Sequence, residues 1–181
     1  MFVKVLIGIA ALVVLVLIVA ATRPTAYHVE RTLEIAAPTN VVFGILNDLH
    51  QFPGVMVIFG SPFETSDATM QKTIEGPASG PGQSYAWVGK DAGKGRMTIE
   101  KSIPDQQVVT RLDFEKPMKS TSITTLALAG TPTGSQVTWT MDGNHNLIGK
   151  VFGLFMNMDR MLGADIEKSL ERLNTVAAGK R

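Results

Sequence analysis

Apolar and polar positions fall into three textures along this chain. The first is the uninterrupted apolar run Val5–Ala21, bounded by Lys4 and Arg23. A helix that is apolar all round has no side for water, so the run predicts a membrane-inserted helix. Its Val, Leu and Ile residues, at roughly −0.3 to −0.6 kcal/mol each, favour insertion by about 4 to 7 kcal/mol. The second texture runs from Tyr27 to Met141 and is built of short alternating stretches. In Tyr27–Ala36, Val29, Leu33 and Ile35 share one side while His28, Glu30, Thr32 and Glu34 share the other, which predicts a half-buried strand. Ala37–Asn40 is a turn with Thr39 or Asn40 as N-cap. It leads into a short helix carrying Val41, Val42, Phe43, Ile45, Leu46 and Leu49, ended by Gln51-Phe52-Pro53-Gly54. Val55–Phe63 shows no clear period and reads as a second short helix or an irregular cover. After Asp67, Gly- and Pro-rich separators cut the chain into six more predicted strands, 69–75, 83–88, 96–103, 107–114, 121–129 and 136–141, an antiparallel meander.

The third texture is helical. Val151, Phe155, Met158, Leu162, Ile166, Leu170 and Leu173 recur every three or four residues, predicting one helix over Asn146–Val176. Its second half has a charged back, with Asp165, Glu167, Lys168, Glu171 and Arg172. Its first half is apolar nearly all round, because Ile148, Phe152, Leu154, Met156 and Met161 lie off the main stripe. Such a segment is covered on several sides or borders something apolar that is not protein. The strands present one apolar face (Tyr85/Trp87, Met97/Ile99/Ile103, Val108/Leu112/Phe114 and Val137/Trp139/Met141) that needs a lid. This helix is the only element long enough to supply it.

Composition narrows the reading. A chain of 181 residues holds one domain and an appendage, and it contains no cysteine, so disulfides, thiolate metal sites and Cys nucleophiles are excluded. The net charge is +1, from 17 Lys plus Arg against 16 Asp plus Glu, and removing the N-terminal segment with Lys4 leaves the remainder neutral. No basic excess or stripe marks a nucleic-acid partner. The expected organisation is 1–22 as a transmembrane anchor or a signal peptide, 23–26 as a short linker, 27–176 as the domain and 177–181 as a tail. Val19-Ala20-Ala21 carries the small residues a signal peptidase needs, so cleavage is the alternative to a retained single span. A short N-terminal tail before an apolar helix ordinarily stays inside while the domain is exported, so the expected location is a single-pass membrane protein with an extracytoplasmic domain. Pro24 keeps Arg23 out of the helical region and leaves almost no linker.

A family resemblance rests on Tyr27-His28-Val29-Glu30-Arg31, Ile35-Ala36-Ala37-Pro38, Asn47-Asp48-Leu49, Gly95-Met97-Thr98-Ile99, Leu112-Phe114-Glu115-Lys116-Pro117, Val137-Thr138-Trp139-Met141 and Gly149-Lys150-Phe152-Gly153-Leu154-Phe155. In that order they resemble the SRPBCC superfamily, in particular its bacterial polyketide-cyclase/dehydrase-like branch, which is related to START lipid-transfer domains. The chain departs from such members at Phe52-Pro53-Gly54-Val55-Met56, where they often carry a Trp-rich segment. The resemblance implies an α+β helix-grip fold, a seven-stranded antiparallel sheet wrapped around a long C-terminal helix, here preceded by one transmembrane helix. It also implies a cavity for a hydrophobic ligand such as a lipid, isoprenoid or polyketide, and no cofactor. It does not imply one chemistry.

Candidate residues follow from the inward phase of the strands. Tyr85, Trp87, Met97, Phe114, Trp139, Met141, Phe152, Phe155 and Met156 combine large apolar area with the adaptability of Met, suiting a pocket for flexible ligands or a solid core. Tyr85, Arg31 and Lys101 are the polar groups in inward phase, candidates to polarise a ligand carbonyl or act as acid or base in a cyclase or dehydratase. His28, His50 and His145 fall in three elements without metal-ligand spacing, and Asp48-Leu49-His50 reads as a helix terminus. The Gly89–Gly95 loop lacks the phosphate-loop spacing and reads as a hairpin turn. The expected partners are a hydrophobic small molecule and, through residues 5–21, a lipid bilayer; a third reading makes the apolar half of the C-terminal helix a docking face for a protein or the bilayer.

Overall fold

A computed structural model describes the chain except Met1, Phe59, Met156 and Arg181 and the side chains of Phe155 and Met158. The apolar run forms α1 (Phe2–Ala21), and β1 (Ala26–Ile35) follows directly. Next come α2 (Thr39–Leu46), α3 (Phe52–Val55), a small hairpin of β2 (Val57–Ile58) and β3 (Ser61–Pro62), and a 3-10 turn at Phe63–Thr65. Six strands complete the main sheet: β4 (Gln71–Glu75), β5 (Ser84–Val88), β6 (Lys94–Ile103), β7 (Gln107–Lys116), β8 (Ser120–Thr131) and β9 (Gly134–Asn144). Their order is β1-β9-β8-β7-β6-β5-β4, every pair antiparallel, so the seven predicted strands form one sheet.

Three local expectations are corrected. The first short helix begins at Thr39 with Pro38 at the N-cap position and no side-chain cap, because the Pro38 carbonyl accepts from the backbone of Val41 and Val42. Phe52-Pro53-Gly54 does not merely end that helix but forms the turn of α3, with Pro in its first turn, where the missing N–H costs nothing. The single C-terminal helix is two, α4 (Leu147–Phe155) and α5 (Met158–Ala178). Asn146 Oδ1 accepts from Gly149 N at 2.8 Å and Asn157 Oδ1 accepts from Arg160 N at 2.9 Å, so each helix starts on its own Asn. A side-chain cap satisfies an N–H that a continuous helix would have bonded, and at Asn157 the cap wins over the apolar period.

The core gathers where α5 crosses the sheet. Ile166, Leu170, Leu173 and Ala177 are buried against Val29, Ile35, Leu126, Leu128 and Val137, with Val42, Ile45 and Leu46 of α2 closing the side. Each large aliphatic side chain buried here stabilises the fold by about 1.5–3 kcal/mol. Buried polar groups on α5 serve the hairpin: Ser169 Oγ accepts from Val57 N at 2.9 Å and Asp165 Oδ1 from Gly60 N at 2.8 Å. Gln83, fully buried, accepts from Leu49 N at 2.7 Å and donates to Ala78 O at 2.9 Å, tying the end of α2 to the loop before β5.

Candidate ligand-binding site

Antiparallel register lines the inward residues up in rows. One row reads Tyr85, Met97, Leu112, Ser122, Gly143, Tyr27 across β5 to β1. The next reads Ile99, Thr110, Thr124, Met141, Val29. Thr110, Ser122 and Thr124 are all buried, so the middle of an otherwise apolar surface carries three hydroxyls. Tyr27 lies across Gly143, where a Cβ would overlap the phenol ring, so only glycine admits this approach. Burial pushes the Tyr27 phenol above its ordinary value, a hydrogen bond with Ser122 works against that, and the Asp142 carboxylate adds to it.

Aromatic rings line the other side. Phe63 meets Trp87 edge-on with centroids 5.1 Å apart, Trp87 meets Phe114 edge-on at 5.4 Å, and Phe52 of α3 packs on Trp139 at 5.6 Å. Trp87 Nε1 donates to Ala92 O at 3.1 Å. The Tyr85 hydroxyl and Trp139 Nε1 are buried and have no hydrogen-bond partner among the described residues. They stand on β5 and β9, four strand spacings apart, about 19 Å measured along the sheet. Burial, and after it the charge of Glu64, pushes the Tyr85 phenol up to about 12. At neutral pH it is therefore a proton-bearing donor.

Of the predicted lining residues, Tyr85, Trp87, Met97 and Trp139 are fully enclosed, while Phe114 and Met141 are half-buried and pack against the core cluster. Phe152 is different: it is 52% exposed on α4, which packs against α1, so it stands outside the enclosed cluster. The expected contacts of Met156 and of the Phe155 side chain fall outside the described residues.

Two of the polar candidates are not free to act on a ligand. Arg31 donates from Nε to Glu167 at 2.7 Å, from Nη1 to the Glu30 carbonyl at 2.7 Å, and through Nη1 and Nη2 to Asp159 at 3.3 Å. It fastens β1 to α5, and Gly163 lies so close to the guanidinium that a Cβ there would overlap it. Lys101 is exposed, because a bulge between Ile99 and Lys101 reverses the phase of β6 and turns it outward. His28 pairs with Asp142 at 2.7 Å, His50 with Asp48 at 2.7 Å, and His145 stacks on Tyr27 at 4.7 Å. The Gly89–Gly95 loop is the expected hairpin turn. Asp67, itself buried, accepts there from Asp91 N at 2.7 Å and Ala92 N at 3.0 Å, and hydrogen bonds from Thr69 and these amides hold its carboxyl well below the usual range.

Sequence reasoning missed Thr110, Ser122, Thr124 and Phe63. The available signal was parity, since Thr110 stands between Val108 and Leu112 and Thr124 two positions before Leu126, in phase with the buried face.

A sheet that grips a long helix and encloses an aromatic and hydroxyl-dotted interior defines a helix-grip domain of SRPBCC type. A family model described as "Polyketide cyclase / dehydrase and lipid transport" matches residues 26–178, and the chain belongs to that family. No curated protein matches it. Solved structures share the fold at low identity. Protein CV1439 from Chromobacterium violaceum is 13% identical with TM-score 0.58, over 83% of this chain and 96% of that one. The di-domain ARO/CYC StfQ of the steffimycin biosynthetic pathway is 12% identical with TM-score 0.60, over 86% of this chain and 52% of its own. Ara h 8.0201 is 10% identical with TM-score 0.57, over 85% and 99%. At these identities the likeness is one of fold. The N-terminal α1 is long and apolar enough to cross a membrane, a test that a signal sequence passes equally.

Proposed function

We propose that this protein is a membrane-anchored binding or carrier domain for an elongated hydrophobic small molecule, of lipid, isoprenoid or polyketide type, held against the inner face of the sheet. One observation carries the reading: the Tyr85 hydroxyl and Trp139 Nε1 are buried donors without a protein acceptor among the described residues. Each such donor costs about 1–3 kcal/mol, which an oxygen of a bound ligand would relieve. Both stand on the inward face of the same sheet, on β5 and β9, so a ligand lying across the strands would meet the two donors together. The family's description, which includes lipid transport, supports the ligand class, and α1 supports retention at the bilayer where such a ligand dissolves.

Native mass spectrometry of the full chain in mild detergent, before and after delipidation, tests this. The expected result is a bound mass that delipidation removes, together with quenching of Trp87 and Trp139 fluorescence when an acyl probe is added back. Tyr85→Phe and Trp139→Phe should each weaken that response several-fold. No bound mass, and no response to acyl, isoprenoid or polyketide-like probes, would remove the reading. A cyclase or dehydratase is the second reading, favoured by Tyr85 alone: a buried phenol that keeps its proton can act as general acid or polarise a carbonyl. Turnover of a polyketide-like substrate lost in Tyr85→Phe, with binding retained, would decide for it.

A further inference from the structure

The strands of the main sheet all reach one common end, where α1 enters β1, β9 leaves for α4, and the β5–β6 and β7–β8 hairpins turn. Three features coincide there. First, α4 packs against α1, and Ala20 is the buried residue of α1. Second, the apolar side chains at this end face outward: Leu147 is 51% exposed, Ile148 53%, and Val88 and Met118 at the hairpins 52% and 38%. None of the α4 residues whose burial is described is fully buried. Third, the charge is one-sided. Arg23, Lys90, Lys94, Lys116, Lys119 and Lys150 stand at this end against Asp67, Asp91, Glu115 and Asp142, of which Asp67 is buried on the hairpin amides, Asp142 is paired with His28 at 2.7 Å and Glu115 with Lys94 at 2.6 Å. The β7–β8 hairpin also reaches the start of α4, since Asn146, the residue before the helix, donates from Nδ2 to Lys119 O at 3.4 Å.

We infer that this end of the domain is a docking surface for an anionic lipid bilayer, with α4 lying in the interface beside the domain-proximal end of α1 and the two hairpin tips resting on the headgroups. The inference rests on α1 being a retained anchor and is independent of what the interior binds. The exposed apolar surface of α4 continues that of α1, so the medium that covers one covers the other. With nine residues α4 is about 13.5 Å long, too short to span a hydrocarbon core of about 30 Å. An interfacial position suits that length, with Lys150, the only charged residue of α4, extending its ammonium to the headgroups. The lysines at the hairpin tips complement anionic headgroups, which a purely hydrophobic partner would not require.

The absence of cysteine makes a clean labelling experiment possible. Single variants Phe152→Cys, Met118→Cys, Leu12→Cys and Gln136→Cys of the full chain carry an environment-sensitive fluorophore in nanodiscs of phosphatidylcholine, with or without one-third phosphatidylglycerol. The expected result is a blue-shifted emission at 152, quenched severalfold by lipids brominated near the headgroup end of the chain, a weaker quench at 118 that grows with phosphatidylglycerol, and none at 136. Lys116→Glu with Lys119→Glu should abolish the phosphatidylglycerol dependence at 118. Water-like emission at 152 while Leu12→Cys is strongly quenched overturns this inference and leaves the anchor standing. A blue shift at 152 without lipid quenching means that protein or a second copy covers α4, which also overturns it. Loss of the Leu12→Cys label by cleavage removes the anchor and this inference together, and leaves the ligand test above untouched.

Discussion

The two ends of the sheet are built on different principles. At the Ile35 end, α5 and α2 close over Ile35, Leu126, Val137, Leu170 and Leu173, all essentially without solvent contact. At the Tyr27 end Tyr85, Trp87 and Met97 are enclosed, but the inward residues Tyr27, Phe114 and Met141 are only half-buried, and hydroxyls stand among them. The neighbouring helix also changes, from α5, clamped by Arg31, to α4, which packs on α1 and exposes Leu147, Ile148 and Phe152. The closest packing thus lies at one end of the strands, and under the proposed function the opposite end is the one that admits a ligand.

Substitutions at the two ends should therefore differ in kind. Leu170→Ala, at the closed end, should cost about 2–5 kcal/mol in a denaturant titration, through lost burial and the cavity left behind. A cost under 1 kcal/mol would mean that this end is not the solid one. Gly163→Ala, at the seam, should cost about 1–3 kcal/mol, because the new methyl displaces Arg31 from Asp159 and Glu167. Unchanged stability there would show that the Arg31 clamp does not hold α5. At the open end Met141→Ala should cost about 1 kcal/mol while altering probe affinity several-fold, the reverse of Leu170→Ala.

Tyr85→Phe should leave the ligand-free protein as stable or slightly more so, since it removes an unpartnered buried hydroxyl. Its pH signature sharpens the point. The phenol is pushed up to about 12 in the fold, against about 10 when unfolded, so the folded state keeps a proton that the unfolded state loses. This contribution is intact below pH 10 and is lost as pH rises from 10 towards 12. Unfolding titrations in Tyr85→Phe should show a shallower alkaline decline, and identical curves would contradict the buried, proton-bearing phenol. The smallest effect is expected from Phe152→Ser, within about 0.5 kcal/mol in detergent, because the side chain is already more than half exposed.

Much of the architecture was readable because alternation and Gly/Pro punctuation agree: all seven main strands lie where the pattern places them, within two or three residues at their ends. The misses share one physical cause, a local hydrogen bond or backbone irregularity overriding a period. Asn157 caps α5 in the middle of an apolar periodicity that runs on through it. The bulge at Ile99/Lys101 reverses a phase that alternation would have carried through, and Lys101 follows it outward. For the site, enclosed aromatic positions such as Tyr85 and Trp139 were readable because size and parity coincide. Thr110, Ser122 and Thr124 were not, because a short polar side chain on a strand reads as solvent-facing unless its neighbours in register are known.

The union of β1 and β9 has a mechanical meaning as well. Ala26 pairs with Asn144, and His145 N reaches back to Thr25 O at 2.7 Å, so the strand that leaves α1 and the strand that leads into α4 are hydrogen-bonded at their last residues. Only Thr22–Thr25 separate α1 from β1. Any movement of α1 relative to the sheet therefore meets the root of α4 through main-chain hydrogen bonds, and the Arg31 clamp, two side chains further along the inward face of β1, ties the same strand to α5.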